Sequence, residues 1–202
     1  MKKLKEIRQQ EIMEHFHKVV AEYGLSGTTL AKVAASIGMN PSLLLHYYKS
    51  KEEMLVGFAD FIICRYEDFY FKNLNASSEP KERLENLIDG LLVKDIDDVG
   101  LVGDRGFYEI YSLSITHPEV KEKFCQFYKR FDQALTKELS ILIATGIIKE
   151  ADANLVSGLL IVLLEGKDFY NNLIEDRHTF KRLQKYLKKI VLQALTNSHN
   201  SE

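Results

Sequence analysis

Residues 29–51 read TLAKVAASIGMNPSLLLHYYKSK, and the spacing within them decides the fold. A short apolar-periodic run, Leu30, Val33 and Ala34, meets Ile37 and Gly38. Asn40 then opens a second short run through Leu44 to Tyr48. Asn40 has the side chain of a helix cap, and Pro41 fits the first helical position, where a missing N–H costs nothing. Two short helices pinched around a glycine describe a helix-turn-helix, whose second helix can enter the major groove of DNA.

Working outward, an upstream helix spans about Lys3 to Tyr23, with Ile12, Phe16, Val19, Val20 and Tyr23 at core spacing and Gly24 as its stop. Thr28 or Thr29 caps the next helix. Downstream, Ser50 caps a fourth helix from Lys51 to about Leu74, with Glu52 and Glu53 favourably placed near its N-terminus. Asn75–Pro80 is a break, and the glycine-rich residues 97–106 read as a loop. Further helices are expected at about 80–96, 107–116, 118–145, 152–173 and 176–196. The eighth is apolar almost all round from Leu155 to Leu164, as a buried helix is. The ninth carries Phe180, Leu183, Leu187, Ile190, Val191, Ala194 and Leu195 on one face. No strand alternation appears. The expected fold is all-α, with a three-helix head over residues 1–51, a linking helix over about 51–74, and the remainder of a six-helix body over 75–202.

The 202 residues are 46% hydrophobic and 28% charged, enough for a sizeable core, and only three prolines and eleven glycines speak against an all-β chain. The net charge of −2 hides an asymmetry: eight basic against four acidic residues give about +4 through residue 51, leaving about −6 for the rest. A basic head suits local attraction to phosphate. Cys64 and Cys125 lack metal-type spacing and read as buried thiols in a reduced cytoplasm. The N-terminal segment has no apolar signal-peptide core, and the longest apolar run, Leu159–Leu164, cannot span a bilayer, so no membrane partner is expected. There is no G-x-S-x-G, Walker-type loop or H-E-x-x-H. His15 and His17, two apart, do not share a helical face. Gly100, Gly103 and Gly106 follow no strand. No catalytic residue, metal site or cofactor is therefore expected.

The ordered set of a helix ending YG, then TT, AxxxG, a short helix ending in HYYKSKEEM and an all-helical remainder resembles the TetR family of bacterial transcriptional regulators. The similarity is strongest from Ile12 to about Met54. It continues more weakly through HPEVKEKF and GIIKEADANLVSGLLIVLLEG. The resemblance implies a homodimer, a DNA-binding head, and a body that binds a small effector whose arrival releases the DNA operator. It also implies phosphate contacts from Thr29, Tyr47 and Lys51, with His46 at a variable, DNA-facing position. Pro41, Ser42, Leu43 and Leu45 depart from the family, which more often has polar or small residues and a tyrosine there. Asn40, Pro41, Ser42, Leu43 and His46 complete the expected DNA-facing set. Leucine cannot hydrogen-bond a base edge but can pack on a thymine methyl, so fewer base hydrogen bonds and more reading of DNA shape are expected.

The body is rich in aromatic residues, which suit an apolar effector cavity. Phe61, Phe107, Tyr111, Phe127, Phe131 and Phe169 are its candidate lining, with Glu165 as a polar group and Arg105, Glu109, His117 and Asn171 as further polar candidates. The eighth and ninth helices are the expected dimer contact, with Ser157 and Gly158 permitting close approach, and a two-fold dimer implies a palindromic operator. The competing reading is a helical dimeric ligand-binding protein with weak or lost DNA binding.

Overall fold

A computed structural model describes residues 2–73, 79–93, 105–149, 152–171 and 173–197, and among them every regular element is helical. The helices are α1 (Lys2–Gly27), α2 (Leu30–Ile37), α3 (Pro41–Tyr47), α4 (Lys51–Asn73), α5 (Pro80–Ile88), α6 (Arg105–Leu113), α7 (Pro118–Ala144), α8 (Ala153–Asn171) and α9 (Arg177–Thr196). A π-helical turn, Asp89–Val93, continues α5. The expected break at 75–80 falls mostly, and the expected loop at 97–106 largely, outside the described residues. The chain divides into two compact units, Met1–Tyr66 with Ile96–Phe127 and Glu67–Asp95 with Tyr128–Glu202, so that α4 and α7 each supply residues to both.

In the first unit α1 buries Ile12, Phe16, Val19 and Val20, the 3.6-residue stripe read from the sequence. Phe16 meets Phe58 of α4 with ring centroids 4.8 Å apart. Tyr23, expected in that stripe, is instead 46% exposed, and Lys32 Nζ sits 4.0 Å above its ring. One residue on, Gly24 leaves helical geometry, with φ 72° and ψ 166°, so the residues after it turn away from the line of α1. Two side chains secure the kink: Thr28 Oγ1 donates to Gly24 O at 2.7 Å, and the Leu25 N–H donates to the Glu109 carboxylate of α6.

In the second unit the core is Leu84, Leu87, Leu91 and Leu92 with Phe131, Leu135, Leu139 and Leu142 of α7, Leu160 and Leu164 of α8, and Phe180 and Leu195 of α9. Arg83 grips the buried Glu138 through two parallel bonds of 2.7 and 2.5 Å, a geometry that makes a partly buried pair specific. The π-helical turn is held from α9, where Lys188 reaches Asp89 at 2.6 Å and Gln184 Nε2 donates to Val93 O. Asp176 caps α9, and the hydrogen bonds it accepts from Thr179 hold its carboxyl below the usual range.

Three expectations from the sequence need correction. Both cysteines are exposed, because each lies on the outward side of a long helix, and not in its core stripe. Ser157 is fully buried against α7, its Oγ donating to Asp132 Oδ1 at 2.6 Å, so it does not line an outer face as Gly158 does. Helix α8 is not buried all round within the chain: Leu155, Leu159 and Val162 are 70%, 53% and 68% exposed.

Candidate nucleic-acid interface and effector residues

The head is assembled from local chemistry. Thr29 sits in extended backbone before α2 and its Oγ1 accepts from Lys32 N. Helix α2 stops at Gly38, whose φ of 72° and ψ of 30° place it in the left-handed region open to glycine. The Gly38 and Met39 N–H groups return to Ala35 O and Ala34 O, closing the orphan carbonyls. Two residues later Asn40 Oδ1 accepts from both the Ser42 N–H and the Ser42 hydroxyl, each at 2.9 Å, while Pro41 takes the first helical position.

Within α3 only Leu44 is buried, at 0% exposure, and it anchors the helix to the head. The next anchor is Tyr48, whose ring lies so close to α4 that a Cβ at Gly57 would meet its Cε1 at 2.8 Å. Its hydroxyl reaches Gln9 O, and burial, with Glu53 and Asp60 nearby, pushes its pKa up to about 12. Ser50 then caps α4 by accepting from Glu53 N, and Glu53 answers by accepting from Lys49 N at 2.6 Å.

With that scaffold set, Thr29, Asn40, Pro41, Ser42, Leu43, His46 and Lys51 are exposed and Tyr47 is half-buried, its ring edge-on to His46 at 5.7 Å. All eight fall in α2, α3, α4 or their caps. Lys51 also borders an open depression of about 660 Å³ that Leu25, Leu55, Glu109 and Leu113 help line.

The seven effector candidates are divided between the two units. Phe61, Phe107, Tyr111 and Phe127 belong to the first unit, and Phe131, Glu165 and Phe169 to the second. In the first, Tyr66, Phe107, Tyr111 and Phe124 form a mutual cluster, with Tyr66 and Phe107 stacked at 4.4 Å and Tyr111 edge-on to Phe124 at 5.4 Å. His17, unremarked as a candidate, lies beside it: its ring is 5.9 Å from Phe58 and 6.0 Å from Phe61, and Gly106 faces its edge. Burial, then the Arg65 charge, lowers its pKa to about 4. In the second unit Phe131 is buried beside Tyr70, Tyr128 donates to Glu165 Oε1 at 2.8 Å, and Phe169 is 58% exposed. Sequence reasoning passed over Lys167, which is buried in α8 with its Nζ 2.6 Å from Asp168 Oδ1, while Tyr70 donates to the other oxygen. A lysine between an apolar run and an aspartate carries no local signal of burial. Among the described residues no group of three or more His, Cys, Asp or Glu side chains is arranged for a metal, and no described helix is long and apolar enough to cross a membrane.

Residues 12–57 match the model of "Bacterial regulatory proteins, tetR family", and residues 79–197 match that of "Tetracyclin repressor-like, C-terminal domain". The chain belongs to the tetR family. It is therefore a transcription factor of the helix-turn-helix class and not an enzyme. Among curated tetR-type relatives it is 36% identical over 84 residues to the HTH-type transcriptional repressor KstR2 of Mycobacterium tuberculosis, a match covering 40% of each chain. The chain thus spans about two-fifths of that relative's length. A longer match, 22% identical over 162 residues, joins it to the HTH-type transcriptional regulator BetI of Serratia proteamaculans and covers 79% of this chain and 78% of BetI. A TetR transcription regulator from Haloarcula marismortui has the same fold, with a TM-score of 0.80 at 21% identity over 94% of this chain and 99% of that one.

Proposed function

We propose that this tetR-family chain is a cytoplasmic, homodimeric repressor that binds a palindromic DNA operator and leaves it when a small apolar or amphipathic effector binds. The observation that carries the reading is the presentation of α3, a capped helix held by Leu44 and Tyr48, with Pro41, Ser42, Leu43, Leu45 and His46 exposed to solvent. A helix so held from one side is free to enter a major groove. Thr29, Tyr47 and Lys51 supply phosphate contacts around it, and Asn40, Pro41, Ser42, Leu43 and His46 meet the groove.

The dimer rests on α8 and α9. Leu155, Leu159, Val162 and Phe169 recur along α8 at spacings of four, three and seven residues, and all are exposed in the single chain. On α9, Tyr186 and Ile190 are exposed and Leu187 is half-buried. An apolar stripe of this length fits a second copy packed about a two-fold axis. For the effector, the cluster of Tyr66, Phe107, Tyr111 and Phe124 offers the apolar surface, and Tyr111, 43% exposed, marks its accessible edge.

The experiment is selection of bound sequences from a random duplex pool by the full-length protein, followed by titration of the enriched sequence against salt. Enrichment of an inverted repeat, with affinity falling steeply as salt rises, is the expected result. Retention of no DNA even at low salt would favour the ligand-only reading.

A further inference from the structure

We propose that Leu43 and Leu45 choose the operator by contacting thymine C5-methyl groups in the major groove, so that each half-site is defined largely by methyls and only secondarily by hydrogen bonds. This rests on the DNA-binding reading above. Successive residues of a helix are separated by about 100°. With Leu44 facing the core, Ser42 and His46 point most directly away from it, and Leu43 and Leu45 flank them on either side.

Most polar groups around that surface are already engaged, His46 being the exception, exposed with its ring edge-on to Tyr47. The Ser42 hydroxyl and the Ser42 N–H both donate to Asn40 Oδ1 at 2.9 Å, the pair of bonds that starts α3. Using the hydroxyl proton or that oxygen on a base would undo the cap. Lys32, the one cation of α2, donates to Gly27 O at 2.8 Å and lies over the Tyr23 ring. Beside His46, what α3 offers outward is apolar: Leu43 is 47% exposed and Leu45 40%. Neither is needed to anchor the helix, since Leu44 and Tyr48 do that.

Two leucines in water on a seven-residue helix gain from burial only if the opposing surface has an apolar group. On the edges of base pairs in the major groove that group is the methyl of thymine. The charge around them fits a polyanion, because Lys49 and Lys51 are exposed immediately after α3 and the first 51 residues carry a net charge of about +4.

Replacing thymine by deoxyuridine removes the methyl and leaves the base-pairing edge intact, which makes a direct test. The enriched operator is compared by fluorescence anisotropy, at fixed salt, with versions carrying deoxyuridine at each thymine in turn, changed symmetrically in both half-sites. At one or two positions per half-site the affinity should fall about three- to fourfold per methyl, or about tenfold for the symmetric pair. At the position each leucine contacts, the loss should shrink to within about twofold in Leu43→Ala or Leu45→Ala. Deoxyuridine at every thymine with affinity unchanged overturns the proposal, and so do losses equally large in wild type and both variants, which would assign them to DNA shape. A pool that enriches no sequence overturns the DNA-binding reading itself, and is told apart because no operator then exists to substitute.

Discussion

Helices α3 and α8 both leave leucines in water, yet their surroundings differ. On α3 the exposed Leu43 and Leu45 are isolated side chains on a helix of seven residues, flanked by a serine, a histidine and the lysines that follow. On α8 the exposed Leu155, Leu159 and Val162 continue one another along a helix of 19 residues, with Gly158 between them, Gly166 one turn beyond and no charged residue in the row. A short apolar patch rimmed by cations suits a surface that is mostly phosphate. A long uncharged stripe suits another apolar helix. The contrast shows that exposure alone says little, and that the neighbours of an exposed leucine indicate what covers it.

The largest effect should come from placing a charge in the longer stripe. Val162→Glu is expected to weaken the dimer at least about a hundredfold, roughly 3 kcal/mol, because an unpaired carboxylate would be buried at the contact. Sedimentation should show monomers and operator binding should fall with the dimer. An intact dimer would remove α8 from the interface and break the comparison.

A second test separates the units by acid. His17 is held neutral in the first unit, with its pKa lowered to about 4 against the ordinary 6.5. The unfolded chain therefore takes up the proton first, so stability is full above about pH 6.5 and declines as pH falls towards 4. A loss of about 2 kcal/mol across that window is expected in denaturant titrations, and His17→Leu should flatten it. An unchanged pH slope in that variant would mean that His17 is not the group responsible.

Lys51→Ala should weaken binding to all DNA sequences about tenfold with a shallower salt slope, leaving the dimer intact. A change confined to one sequence would move Lys51 from phosphate to base contact. Smallest is Asn40→Ala, which removes the cap of α3 and should cost about 1 kcal/mol in thermal stability. No measurable cost would imply that the Ser42 bonds are dispensable and would free both side chains for bases.

Much of the head was legible in the sequence because its determinants are local. Thr29, Gly38, Asn40, Pro41 and Ser50 act on residues within one turn, and each occupies the position its chemistry suggests. The effector candidates were less legible. Aromatic residues on α4, α6, α7 and α8 are alike in composition, and only tertiary packing separates Phe107 in its cluster from the exposed Phe169. The burial of His17 depends on Gly106 in a distant helix, and that of Tyr48 on a glycine of α4. Likewise the outward side of α8 could not be told from its inward side by periodicity, since leucine and valine occupy both.

The bond from the Leu25 N–H to the Glu109 carboxylate joins residues 84 positions apart and has a property that packed side chains lack. A charge-assisted hydrogen bond weakens steeply with angle and distance, so it links its partners directionally. This one ties α6 to the chain at the point where Gly24 bends α1. Since Glu109 and Lys51 border the same depression, a molecule lodged there would meet that carboxylate and a lysine at the foot of α4 together.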